Sequence, residues 1–161
     1  MAIPLYGKNK DGDRLNSYAD GLANVIALTK SYELKAGESG SYVVLKNISA
    51  NSTLKLPSPS DGMWFEIFYA GTAAEAQDWI IDSQSDSNYF VGGLSILDTD
   101  ATTDGAEALV AILPDGNSNS KVSLKTVDNG SWIRLVSDGT LWYTSGLIAS
   151  ATATAVVYAD Q

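Results

Sequence analysis

Apolar and polar residues alternate in short runs along most of the chain, and this pattern predicts strands. Leu54 and Leu56 fall on one face of such a run and Lys55 on the other, because strand side chains point alternately to opposite faces. The run 63–69 is apolar except for Glu66, which predicts a central strand. Further strands are predicted over 41–46, 53–56, 122–127, 132–136, 140–144 and 153–158.

Turn-forming residues separate these runs. Residues 57–62 contain two prolines, which cannot donate to a sheet ladder, so a loop is predicted there. The dipeptides at 129–130 (Asn-Gly) and 138–139 (Asp-Gly) favour type I′ hairpin turns. They predict a meander of three strands over 121–127, 131–137 and 140–145. The short stretch 72–77 tolerates a helix and is predicted to form one helical turn or a loop.

Short, regularly spaced strands indicate an all-β fold, and we expect a compact β-sandwich or barrel. Residues 1–24 differ because they show little periodicity and contain Pro and Gly breaks. We therefore expect two parts, an extended N-terminal arm over 1–24 and an all-β body over 25–161. The apolar residues of the arm are too sparse to form a core, so the arm must dock on another surface or stay disordered.

Two residue types are absent, since the 161 residues contain no Cys and no His. Disulfides, Cys or His nucleophiles, Ser-His-Asp triads and zinc fingers are thereby excluded. We expect no enzymatic activity and no cofactor. The longest apolar run, 108–113, has six residues, against the roughly 20 that span a bilayer. The first residues lack the basic-then-apolar order of a signal peptide, so no membrane partner is expected.

The net charge of −9 is unevenly distributed. Residues 1–55 hold seven basic and five acidic side chains, whereas residues 56–120 hold eleven acidic and no basic ones. An acidic middle repels phosphates, so no nucleic-acid partner is expected. The pattern indicates that the acidic residues form a solvated face. The alternative is that the N-terminal part of the chain binds an acidic partner while the acidic middle faces water.

Two candidate sites are weak on their own residues. The segment 100–105 matches the first half of a calcium loop, but position 12 is Ala111 where a bidentate Glu is required, so no metal site is expected. The four tryptophans lie in or near apolar runs, where packing in the core or between subunits is the usual role. A sugar-stacking platform is the alternative for these aromatic residues.

Two segments share a recognisable order of residue types. The first, 54–67, reads as a strand, Leu-Pro, a polar loop, Asp-Gly and an aromatic strand; the second, 130–143, reads as a Gly-aromatic strand followed by Asp-Gly-Thr-x-Trp-Tyr. Both resemble segments of virion proteins of tailed bacteriophages. Between them lies the loop 115–120, as in such proteins. The resemblance covers about residues 50–146. Its motif residues are Pro57, Asp61, Gly62, Trp64, Gly130, Trp132, Asp138, Gly139 and Trp142.

The chain is similar to trimeric capsid decoration (cement) proteins and to some tail-fibre and baseplate modules. The first resemblance implies a β-tulip-like homotrimer on the outer surface of the mature capsid, at threefold positions, with the major capsid protein as partner. The second implies a tail component that binds host-surface glycans. Small size, acidity, the lack of Cys and the absence of heptads or repeats favour decoration.

The N-terminal arm is the predicted capsid contact. Its basic side chains suit an acidic capsid surface better than the acidic middle does. Its apolar cluster contains a proline, whose fixed φ reduces the entropy lost on docking. A disordered tail without a role is the alternative. The predicted contact residues are Ile3, Pro4, Leu5, Tyr6, Lys8, Lys10, Arg14 and Tyr18.

Overall fold

Two mixed β-sheets form the fold in a computed structural model, which describes residues 24–72, 74–99, 109–152 and 154–161. Within these residues there are thirteen strands, two 3₁₀ turns (Ala36–Glu38 and Asp86–Asn88) and no α-helix. The strands are β1 (Val25–Leu28), β2 (Tyr32–Glu33), β3 (Ser41–Leu45), β4 (Ser52–Lys55), β5 (Asp61–Tyr69), β6 (Trp79–Asp82), β7 (Phe90–Gly92), β8 (Leu94–Asp98), β9 (Leu109–Ile112), β10 (Lys121–Leu124), β11 (Trp132–Asp138), β12 (Trp142–Ser150) and β13 (Val156–Ala159).

The chain changes sheet at every strand from β1 to β7. The larger sheet has the order β1-β3-β5-β11-β12-β8-β9, with β7 beside the first half of β12, and the smaller sheet has the order β13-β10-β6-β4-β2. Because consecutive strands lie in different sheets, strands that are neighbours in one sheet often run parallel, as β1, β3 and β5 do. The all-β prediction is therefore correct, and the architecture is a sandwich of two sheets.

The alternation of residues along two predicted strands is confirmed. Leu54 and Leu56 are fully buried while Lys55 is exposed. The run 63–69 lies within β5, which pairs with β3 on one side and with β11 on the other. The sequence pattern failed to identify six strands, namely β1, β2, β6, β7, β8 and β9. All six have five residues or fewer, so they offer little periodic signal, although β3, β4, β10 and β13 are as short and were identified.

The predicted meander is wrong because β10 does not pair with β11. Strand β10 pairs with β6 and β13 in the smaller sheet, whereas β11 pairs with β5 and β12 in the larger one. Between β10 and β11 the chain crosses from the smaller sheet to the larger one. In this connection Val127 is fully buried, and Thr126 adopts a positive φ of 48°. The Asn-Gly dipeptide therefore lies at a sheet-to-sheet corner.

The predicted turn types are also wrong. A type I′ turn needs positive φ at both central residues, but only Gly130 (φ 91°) and Gly139 (φ 94°) have it, and the preceding Asn129 and Asp138 do not. The second dipeptide does join two paired strands. Ser137 faces Trp142 in the last pair of the hairpin, so residues 138–141 form the connection between β11 and β12.

One loop prediction needs adjustment and one is confirmed. The predicted loop 57–62 ends earlier, because β5 begins at Asp61 and Asp61 faces Asp138 of β11. The stretch 72–77, predicted to form one helical turn or a loop, is a loop in its described residues, 72 and 74–77. A side chain explains this loop: the buried carboxylate of Glu75 accepts hydrogen bonds from the backbone N–H groups of Ile48 (3.0 Å) and Gln77 (3.1 Å).

The core lies between the facing sides of the two sheets. Phe65 of β5 packs on Trp142 of β12 with ring centroids 6.1 Å apart, and both side chains are fully buried. Phe90 of the larger sheet contacts Tyr158 of the smaller one at 6.3 Å. The indole N–H of Trp79 donates to the carbonyl of Lys46 (3.1 Å), which ties a core residue to a loop. Aromatic rings thus pack both within the larger sheet and across to the smaller one, among a core that is mostly Leu, Ile and Val.

Strands β11 and β12 approach each other closely at Gly146. A Cβ at this position would lie 2.2 Å from the carbonyl oxygen of Trp132 and 2.9 Å from the Cα of Ile133. These are backbone atoms of a central strand and cannot move aside. We expect Gly146→Ala to lower the free energy of unfolding by about 2 kcal/mol, and the melting temperature by about 4–8 °C.

Thermal unfolding at equal protein concentration measures this effect, with Gly37→Ala as the control. A Cβ on Gly37 would have no heavy atom within 4 Å, so this variant should melt within about 2 °C of the parent. Equal melting temperatures for the two variants would contradict the close approach of the strands.

Tyr158 gives a prediction for alkaline pH. Burial raises the pKa of its phenol to about 12, and burial together with the neighbouring Glu75 carboxylate raises the pKa of Tyr69 to about 12. The phenols are held neutral in the folded state, so their contribution to stability is complete below the ordinary pKa of 10.0 and is lost as pH rises from there towards 12.

Absorbance of tyrosinate during alkaline titration measures this. Two of the eight tyrosines should ionise last, and Tyr158→Phe should remove one of these late steps. A single ionisation step near pH 10 for all tyrosines in a protein still folded by circular dichroism would refute the assignment.

Candidate interaction surface

The fold brings the two virion-like segments together on adjacent strands. The first segment ends in β5, and the second comprises β11, its hairpin and the start of β12. Strand β5 pairs with β11, and β11 pairs with β12. The junction is close, since a Cβ on Gly139 would lie 3.3 Å from the backbone nitrogen of Asp61. Segments separated by more than sixty residues in sequence thus form one three-stranded unit.

A single carboxylate shapes the hairpin of this unit. Oδ1 of Asp138 accepts hydrogen bonds from the backbone N–H groups of Thr140 and Leu141, both at 2.8 Å, and Oδ2 accepts one from the Tyr143 hydroxyl at 2.9 Å. These hydrogen bonds stabilise the charged carboxylate and therefore lower the pKa of Asp138. The bond from the N–H of Leu141 has the largest effect, followed by those from the N–H of Thr140 and from the Tyr143 hydroxyl. The hydrogen bond to Asp138 in turn raises the pKa of Tyr143.

The outer side of the larger sheet carries mainly apolar and aromatic residues. In β5 the half-buried Trp64, Glu66 and Phe68 alternate with buried residues, and the strand registers place similar residues beside them on the neighbouring strands. We name these outward positions the aromatic face. It comprises Val25, Tyr42, Val44, Trp64, Glu66, Phe68, Leu97, Leu109, Trp132, Arg134, Val136, Tyr143 and Leu147.

Several side chains of the aromatic face are accessible to solvent. The exposed fractions are 36% for Trp132, 44% for Tyr143, 61% for Val25 and 66% for Leu109. These residues span the sheet from one edge strand of its order to the other. Exposed aromatic and aliphatic side chains gathered on one side of a sheet mark a candidate interaction surface.

The two charged residues of the aromatic face lie opposite each other. Arg134 of β11 faces Glu66 of β5 in the strand register, and the Arg134 guanidinium lies 5.7 Å from the ring centroid of Trp64. Tyr42 packs edge-on against Trp64, with centroids 6.5 Å apart. The rings are therefore held in a cluster around one cation, and the face carries one charge of each sign.

The outer side of the smaller sheet has a different character. Its strand registers place Glu33 beside Lys55, Lys55 beside Asp82, and Asp82 beside Lys121. Charges of alternating sign on adjacent strands are favourable neighbours in a sheet. Asp82 is itself buried, and its carboxylate accepts hydrogen bonds from the backbone N–H of Gln84 and the side-chain amide of Gln161. The two outer sides of the sandwich thus differ, and the apolar one is the candidate interaction surface.

The predicted motif residues divide between this surface and the interior. Trp64 and Trp132 lie on the aromatic face, whereas Trp142 lies fully buried between the sheets. The indole N–H of Trp142 is the only buried side-chain N–H or O–H group of the described residues without a hydrogen-bond partner. The remaining motif residues shape turns and strand ends: Pro57, Asp61, Gly62, Gly130, Asp138 and Gly139.

The sequence analysis missed Tyr42, Phe68 and Tyr143 as site residues. The available signal was the set of alternate residues of β5 that point away from the core. These positions are mainly apolar, whereas a sheet with one side in water has polar residues at them. The predicted arm contacts Ile3 to Tyr18 and the calcium-like segment 100–105 lie outside the described residues. Within those residues, no group of three or more acidic side chains is placed to hold a metal ion, and no helix is long and apolar enough to cross a membrane.

Comparison with known proteins gives no relative: no protein-family model and no curated protein sequence matches this chain.

Asp138 can be tested by substitution. Asp138→Ala removes the acceptor of two backbone N–H groups and of the Tyr143 hydroxyl, so we expect the melting temperature to fall by a few degrees. Asp138→Asn keeps one oxygen for the backbone N–H groups and should fall between the parent and the alanine variant.

The pH dependence gives a second measurement on the same variants. The lowered pKa of Asp138 means that its contribution is complete above the ordinary value of 3.8 and is lost as pH falls through its folded value. Both variants should therefore lose stability less steeply than the parent in this acid range. Parallel acid-unfolding curves for all three proteins would contradict the role given to the carboxylate.

Proposed function

We propose that this protein is a structural virion protein of tailed bacteriophages, a homotrimer that binds the outer surface of the mature capsid at threefold positions and stabilises the shell. The observation that carries the proposal is the three-stranded unit of β5, β11 and β12, because the two segments that resemble decoration proteins are adjacent in it. The major capsid protein is the proposed partner. Catalysis, a cofactor, nucleic acid and a membrane have no part in this role.

The proposed role depends on binding only the mature lattice. A protein that binds the expanded shell and not its precursor stabilises the expanded form by mass action. A trimer carries three equivalent contacts, and after the first contact forms the others become intramolecular. Weak contacts by each copy are then sufficient for tight decoration. A rigid sandwich suits this role because it transmits load between neighbouring capsomers without rearranging.

The N-terminal arm is the proposed capsid contact. Lys8, Lys10 and Arg14 lie in this segment, whereas residues 56–120 are acidic without a basic side chain. An acidic capsid surface would repel that part of the body and accept the arm. Burial of two or three apolar side chains of the arm would contribute roughly 3–6 kcal/mol before ordering costs. Strand β1 begins at Val25, directly after the arm.

A tail-fibre or baseplate role with glycan binding is the second candidate, and one observation favours it. Trp132 and Tyr143 are exposed aromatic residues on adjacent strands, and Asp138 lies beside Tyr143. Sugar sites combine such rings with polar acceptors. Against this, three hydrogen bonds from the protein itself already occupy the Asp138 carboxylate.

Cosedimentation with expanded, undecorated capsids of the phage that carries the gene tests the proposal. The full chain should cosediment with these capsids and not with tails separated from the same virions. Deletion of residues 2–18 should leave the oligomer intact and weaken capsid binding by about tenfold or more, because each arm contact is lost three times over.

The controls separate the outcomes. Unexpanded procapsids should bind neither protein, and Lys55→Ala, an exposed change on the smaller sheet, should bind as the parent does. Cosedimentation with tails instead of capsids would replace decoration by the tail role. Equal capsid binding by the full and truncated chains would move the contact from the arm to the β body.

A further inference from the structure

We propose that the aromatic face is where copies of this chain associate with one another. The proposal depends on the proposed function only for the number of copies in the assembly, which the proposed function gives as three. Its own evidence is the contrast between the two outer sides of the sandwich. One side carries alternating charges on four strands, while the other exposes aromatic and aliphatic residues across the whole larger sheet.

The composition of the aromatic face fits a protein partner. Trp, Tyr and Arg are the residues enriched where protein interfaces gain most of their binding energy. Trp64, Trp132, Tyr42 and Arg134 lie on three adjacent strands of this face. Arg134 stacks over Trp64 and two ring contacts fix Tyr42, so these residues lose little conformational freedom on binding.

Charge favours another copy of this chain as the occupant. The protein carries a net charge of −9, so copies repel each other wherever acidic surfaces meet. The centre of the aromatic face holds one acidic residue, Glu66, and one basic residue, Arg134, in facing register positions, and Asp138 lies at its rim, where it accepts a hydrogen bond from Tyr143. Because this face carries few charges, acidic copies can approach each other there with little repulsion.

Trp132→Glu tests the proposal by placing a charge in the centre of the face. Sedimentation velocity over a concentration series should show an assembled parent and a dissociation constant raised by about thirtyfold or more in the variant, the change expected when a central interface residue is lost. Val157→Glu is the matched control, because Val157 is 37% exposed and Trp132 36%, but Val157 lies in β13 of the smaller sheet. The control should assemble as the parent does.

Folding and assembly are separated by circular dichroism and by a second variant. Should Trp132→Glu fail to fold, Tyr143→Glu places a second negative charge beside Asp138 on the next strand of the face and should dissociate in the same way. Assembly of a folded variant as tight as that of the parent would overturn the proposal.

Other occupants give other results. A parent that stays monomeric, with Trp132 quenched by acrylamide only after deletion of residues 2–18, would assign the face to the chain's own N-terminal segment and overturn the proposal. Normal assembly of Trp132→Glu together with lost capsid binding would assign it to the capsid protein and also overturn it. A dimer that Trp132→Glu dissociates would support this proposal and contradict the trimer of the proposed function, so the two can fail separately.

Discussion

Burial of one side of each sheet against the other is the constraint on which the rest of this structure depends. Phe65, Trp79 and Trp142 are fully buried between the sheets, and at every second position the strands supply such a residue. Because side chains alternate, each strand that gives its inner positions to the core fixes what its outer positions present. A register shift of one residue in β5 would exchange Phe65 and Ile67 for Glu66 and Trp64.

The crossing of the chain between sheets follows from the same constraint. From β1 to β7 each strand lies in the sheet opposite the one before it, so each connection in this part of the chain joins the two sheets. Long-range parallel pairs such as β3 with β5 result. Side-chain anchors hold the connecting loops, as where the buried Glu75 accepts two backbone N–H groups.

The two outer sides of the sandwich differ. The smaller sheet has charged residues at neighbouring outward positions of four strands, whereas the larger sheet exposes Trp132, Tyr143 and Leu109. Of the residues behind the resemblance to virion proteins, Trp64 and Trp132 lie on this face, while Trp142 is buried between the sheets. The resemblance and the candidate interaction surface therefore overlap at two tryptophans of adjacent strands.

The sequence by itself determined the fold class and the local direction of many side chains. Alternation at Leu54, Lys55 and Leu56, and the apolar run in β5, depend only on neighbours along the chain, and both were predicted correctly. The lack of Cys and His likewise excludes whole classes of site on composition alone, because the side chains that such sites require do not occur in the chain.

Only the tertiary structure decided which strands pair and which apolar residues face outward. The Asn-Gly and Asp-Gly dipeptides look alike in the sequence, yet Gly130 lies at a corner between sheets and Gly139 in a hairpin. Trp142 is buried and Trp132 is exposed, although both lie in similar apolar runs. The physical reason is that pairing and burial depend on residues distant in sequence, whereas the periodic pattern records only that a strand has two faces.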